Sequence, residues 1–154
     1  MRFGYKNITK IALIILIFAT IAFIFARSLK TPEKSSAESD KVGDIVEEVI
    51  PPETKPGEFV QVNLRKIAHF VEFAALGIEV AIYVSLFARK KAFMLASYPF
   101  GLFVALLDET IQIYSGRGSS VSDVWLDFLG FLTFATLVYA ATLLITLLRK
   151  DLVK

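Results

Sequence analysis

Four long apolar runs, separated by one long polar segment and two short polar stretches, set the pattern of this chain. The first is Ile11 to Ala26. With Ile8 and Thr9 it reaches about 19 residues, enough to cross a hydrocarbon core of about 30 Å as a helix. Ile67 to Ala88, Phe93 to Ile113 and Val124 to Leu148 follow, and each is long enough to span. A secretory signal peptide competes for the first run, because Arg2, Lys6 and Lys10 precede it. However, Ile24-Phe25-Ala26 puts a bulky residue where cleavage needs a small one, so a retained helix is expected.

Residues 28–64 change character. Serines and prolines mix with Glu33, Glu38, Asp40, Asp44, Glu47, Glu48, Glu53 and Glu58, which predicts a long polar loop outside the bilayer. Within it, Val42, Ile45, Val46, Val49 and Ile50 fall at helical spacing, and Pro51-Pro52 would stop such a helix. A short amphipathic turn on the surface is the simpler reading; a lid over a site below is the functional one. Arg89-Lys90-Lys91 separates the second and third runs. Tyr114 to Ser120, with glycines on both sides of Arg117, predicts a turn between the third and fourth.

The placement of charge gives an orientation. The N-terminal segment, the 89–91 loop and the C-terminus each carry a basic cluster, and four spans put all three on one side, the cytoplasm. The expectation is an all-α bundle of four transmembrane helices, N-in and C-in, with one long extracytoplasmic loop. It divides into an anchor at 1–27, the polar loop at 28–64 and a three-helix membrane domain at 65–154.

Composition agrees. Hydrophobic residues make up 55% of the chain and the mean hydropathy is +0.61, which excludes a disordered chain. There is no cysteine, and hence no disulfide, thiolate metal site or cysteine nucleophile. A net charge of +2 is too small to suggest nucleic acid.

Polar groups inside apolar runs are costly, at about 2.5–3.5 kcal/mol for a charged residue at a helix centre on insertion scales. The second run contains His69, Glu72 and Glu79. The third contains Asp108, Glu109 and Gln112; Asp123 opens the fourth and Asp127 follows. Lys66 and Arg117 flank them. All except Glu79 lie at the outer ends of their helices under the expected topology. Lys66, His69, Glu72 and Phe73 share roughly one helical face, Asp108 and Gln112 are four apart, and so are Asp123 and Asp127. Three polar stripes at equal depth suggest one site.

Plainer roles exist for each residue. Ser120-Val121-Ser122-Asp123 has capping-box form, Lys66 can snorkel to the interface, and His69 can hydrogen-bond to Glu72. Carboxylates gathered in a poorly solvated site cannot all ionise easily, and acid pairs with a histidine are the parts of general acid–base catalysis. The same groups can ligate a divalent cation, but the spacing fits no standard zinc motif and no metal is assigned. No phosphate-binding glycine loop is present, and a serine triad is unsupported.

Lys66…His69-Phe70…Glu72-Phe73, Asp108-Glu109…Gln112, Gly116-Arg117 and Asp123…Asp127…Gly130 resemble, in order and register, the VanZ-like family, over roughly 65–148. That pattern often has Asn at 127 and Tyr at 73, so this chain carries an extra acid. The resemblance implies a small bacterial multi-pass membrane protein, of a family named for a member that lowers susceptibility to teicoplanin, a lipid-tailed glycopeptide. Two functions follow as expectations. One is binding or screening of an amphiphilic cell-envelope ligand. The other is a membrane enzyme acting on a lipid-linked or acylated precursor. His69, Glu72, Asp108 and Glu109 are the candidate acid–base groups. Lys66, Gln112, Arg117, Asp123 and Asp127 are the candidate ligand contacts, with Arg117 for an anionic head. The expected partners are the lipid bilayer and such an amphiphile or precursor, in the bacterial plasma membrane; no cofactor is assigned.

Overall fold

A computed structural model describes residues 4–50, 54–88, 91–118 and 120–152. Five helices run in order: α1 (Tyr5–Ser28), α2 (Pro32–Val49), α3 (Lys55–Phe87), α4 (Lys91–Tyr114) and α5 (Val121–Leu152). Four segments are long and apolar enough to cross a membrane: Tyr5–Ser28, Asn63–Phe87, Lys91–Tyr114 and Val121–Arg149.

The polar segment at 28–64 is mostly helix, not loop. Thr31 is extended, Pro32 occupies the first turn and Glu33 follows it, a start that presets the backbone and places an acid at the positive helix end. The Glu33 carboxyl is held below its ordinary range by a backbone hydrogen bond and then by the Thr31 hydroxyl. The stripe expected around Val42 and Ile45 lies within α2, but both side chains stay exposed. Pro51, Pro52, Arg89, Lys90 and Ser119 lie outside the described residues. α3 also begins well before its apolar run, with Thr54 accepting from the Gly57 amide at 3.1 Å.

α3 is the centre, packed against α1, α2, α4 and most extensively α5. α3 and α5 run in the same direction and pack directly on each other, and α4 runs back against both. Their approach is close because both carry glycine at the seam. A Cβ on Gly77 would lie 2.5 Å from the Phe131 carbonyl oxygen, and one on Gly130 would lie 2.5 Å from that of Phe70. Small residues allow such contact between membrane helices, where packing replaces the hydrophobic drive available in water. Phe131 is fully buried, in a core with Phe73, Leu76, Ala81, Ala105 and Ala135. Leu143, Leu144, Leu147 and Leu148 are exposed, as a lipid-facing surface requires.

Candidate functional site

The polar residues gather at one end of the bundle, where α1 and α4 finish and α3 and α5 are near their starts. Gln112 ties them together. Its Nε2 donates to Asp108 Oδ2 at 2.9 Å and to Glu109 Oε1 at 3.0 Å. Its Oε1 accepts from Arg65 Nη2 at 2.6 Å. Asp108 Oδ1 accepts from Ser28 Oγ at 2.6 Å. His69 Nδ1 lies 3.6 Å from Asp108 Oδ2 and 3.9 Å from Asp127 Oδ2. His69, Asp108, Glu109, Gln112 and Asp127 are all buried.

Glu72 does not bond to His69. It pairs with Arg27, whose Nη1 is 2.6 Å from Glu72 Oε1. Arg27 also lies over the Phe23 ring, 5.9 Å from its centre.

The turn after α4 explains Arg117. Gly116 has φ of 76°, and the Gly116 and Arg117 amides donate back to Ile113 and Gln112 carbonyls at 3.1 and 3.0 Å. This is a Schellman stop, which needs the left-handed conformation that glycine adopts freely. The stop carries Arg117 over the end of α1, where Nη1 donates to the Arg27 carbonyl at 3.0 Å. Ser115 Oγ donates to the Ser28 carbonyl at 2.8 Å. Together they bind the carbonyl end of α1, where the Arg27 carbonyl also accepts from the Lys30 amide at 3.2 Å. Burial, then Arg65, pulls the Arg117 guanidinium below its ordinary pKa. One guanidinium nitrogen of Arg117 is thus taken by the protein backbone, while its Nε has no hydrogen-bond partner.

Asp123 and Lys66 form the rim. Lys66 Nζ is 3.9 Å from Asp123 Oδ1, and the Asp123 amide donates to Ser120 Oγ at 3.3 Å, half of the expected capping box. Between rim and acids lies a cavity of about 200 Å³, walled by Arg65, Lys66, His69, Glu109, Gln112 and Asp127 among others. Glu79 stands apart, deeper in α3, and accepts from Thr20 Oγ1 at 2.9 Å.

Arg27, Ser28, Arg65 and Ser115 complete the cluster, and sequence reasoning did not select them. Arg27 and Ser28 sit at the end of the first apolar run, where a basic residue reads as a membrane flank. The segment expected as an N-terminal anchor thus also supplies site residues. For Arg65, adjacency to Lys66 in the polar stripe was the available signal.

The family model for VanZ/LLP1 matches residues 11–145, nearly the whole chain and wider than the motifs between 65 and 130. Neither a curated protein nor a solved structure matches. A match of that extent, on an all-helical chain with four potential spans, makes this protein a member of the VanZ/LLP1 family.

Proposed function

We propose that the polar end of the bundle binds the head of an amphiphilic cell-envelope ligand at the outer leaflet of the bacterial plasma membrane, with both termini in the cytoplasm. The carrying observation is that Arg65 lines two adjoining spaces. One is the polar cavity beside His69 and Asp127. The other is a larger groove of about 680 Å³ between α1, α2 and α3, with Phe23, Leu64, Ile67 and Val71 on its walls and Arg27 and Lys41 also lining it. A charged head in the first and an acyl chain in the second would share that guanidinium, whose planar fork suits phosphate or carboxylate. Lys66 and Asp123 form the rim of the head site, and Gln112 positions Arg65. Such binding would screen lipid-tailed molecules from their targets, which is the form a teicoplanin phenotype would take here.

The test uses a photoactivatable acyl phosphate with the full chain in nanodiscs. Labelling should concentrate at 64–71 and fall at least tenfold in Arg65→Ala and in Ala68→Trp, which fills the groove. Uniform labelling around the lipid-facing belt would refute the proposal.

A second reading, an enzyme acting on a lipid-linked precursor, is favoured by one observation: His69 Nδ1 is buried between two aspartates without a hydrogen-bond partner. In that reading His69 works with Asp108 and Asp127, while Glu72 is held by Arg27. Mass spectrometry of envelope lipids from cells with and without the protein would decide it. A species that disappears in His69→Ala supports chemistry, and unchanged pools refute it.

A further inference from the structure

Several buried atoms of the polar cluster are unsatisfied, Glu72 Oε2, Glu109 Oε2 and Arg117 Nε among them, and those of His69 and Asp127 converge. His69 Nδ1 and both Asp127 carboxylate oxygens lack hydrogen-bond partners although solvent does not reach them. Asp127 is 1% exposed, His69 8% and Asp108 0%. A buried carboxylate without a partner is strongly unfavourable. The neighbouring cations have contacts elsewhere: Arg27 with Glu72, Arg65 with Gln112, Arg117 through Nη1 with the end of α1, and Lys66 near Asp123.

We infer that His69, Asp108 and Asp127 are the three protein ligands of a divalent transition-metal ion of the zinc–manganese class. One donor atom from each residue lies within 4.8 Å of the other two. The separations of 3.6 and 3.9 Å from His69 Nδ1 to the two carboxylate oxygens are too long for hydrogen bonds. They are near what an ion imposes: two ligands at about 2.1 Å in tetrahedral geometry sit about 3.4 Å apart. A shift of a few tenths of an ångström closes the two histidine–carboxylate separations, and the two carboxylates, within 4.8 Å of each other, come together by at most about 1.4 Å. Imidazole with carboxylates suits zinc or manganese, and no soft sulfur ligand is present. Two carboxylates and a neutral imidazole also balance a charge of +2.

The surroundings fit an ion as well. The Asp108 carboxylate is fixed by Ser28 at one oxygen and by Gln112 at the other, the kind of outer support that orients metal ligands. His69 and Asp127 also line the polar cavity. Three protein ligands leave further positions pointing there, for water or a ligand oxygen. That is the pattern of ions that act on a ligand, whereas purely structural sites are closed by the protein. An ion at this place does not require that an amphiphile binds.

The experiment takes the full chain in mild detergent, stripped with a chelator and then offered Zn²⁺, Mn²⁺ or Co²⁺ alone. Elemental analysis after desalting should find about one ion per chain. Bound Co²⁺ should give the visible absorption of a four- or five-coordinate nitrogen–oxygen site. His69→Ala and Asp127→Asn should lower affinity at least 100-fold, while Glu79→Gln, outside the cluster, should leave it unchanged. Unfolding in SDS checks that each variant is folded. If Asp127→Asn does not fold, Gln112→Ala keeps all three ligands and should weaken binding about 10–100-fold. No uptake by the wild type at millimolar metal would overturn the proposal. So would uptake that the His69 and Asp127 substitutions leave intact.

Discussion

Replacing Gly130 with alanine should pry apart the two helices that carry His69 and Asp127. The added Cβ would stand 2.5 Å from the Phe70 carbonyl oxygen, where ordinary contact begins at 3.4 Å, so the seam must open by about 0.9 Å. The obstacle is backbone and cannot rotate away. Overpacking of this kind costs about 2–3 kcal/mol, in the upper part of the usual range. Alanine's better helix propensity returns about 1 kcal/mol. The expected net loss is therefore about 1–2 kcal/mol. Gly130 lies three residues after Asp127, and Phe70 adjoins His69, so the same displacement lengthens the His69–Asp127 approach and should weaken Zn²⁺ binding. Stability is read by SDS unfolding of the detergent-solubilised protein, followed by helical circular dichroism and the fluorescence of Trp125, the one tryptophan. Gly118→Ala, where nothing lies within 4 Å, is the control. A Gly130→Ala protein as stable as wild type, with unchanged Zn²⁺ affinity, would refute the close-seam argument.

The end of α1 makes its own predictions. Arg27→Met should destabilise by about 1–3 kcal/mol, because it leaves the Glu72 carboxylate without its partner. Adding Glu72→Met should recover most of that loss in the same unfolding assay. Exchanging the third-helix acids, Asp108→Glu with Glu109→Asp, keeps charge but moves each carboxyl by a methylene; Co²⁺ absorption should be lost or altered, and an unchanged spectrum would mean that position is unimportant. For topology, a reporter active only outside the cytoplasm should be silent after Lys154 and active when inserted at Gly43 in α2; signal after Lys154 would invert the proposed orientation.

The amino-acid sequence by itself determined the four spans and the polar positions within them. Runs of apolar residues long enough to cross a bilayer leave the backbone no alternative to helix, and the cost of charge in hydrocarbon makes each intramembrane acid conspicuous. That is why His69, Glu72, Asp108, Glu109, Gln112 and Asp127 were legible before any coordinates. Residues 32–41 were read as loop because they carry no apolar periodicity, and the helical spacing from Val42 to Ile50 marked only the end of α2. That the three polar stripes face one another was legible; which individual groups pair across the bundle was not. Glu72 was expected near His69, three residues away, but its cation is Arg27 from α1. Arg117 was expected to hold a ligand; that the Schellman turn at Gly116 also brings it to the carbonyl end of α1 was not legible. Periodicity fixes which residues share a face of one helix. Which faces meet is set by the glycine-lined seam between α3 and α5 and by the way α1 lies against it. Only that packing brings His69, Asp108 and Asp127, from three helices, to within reach of a single ion.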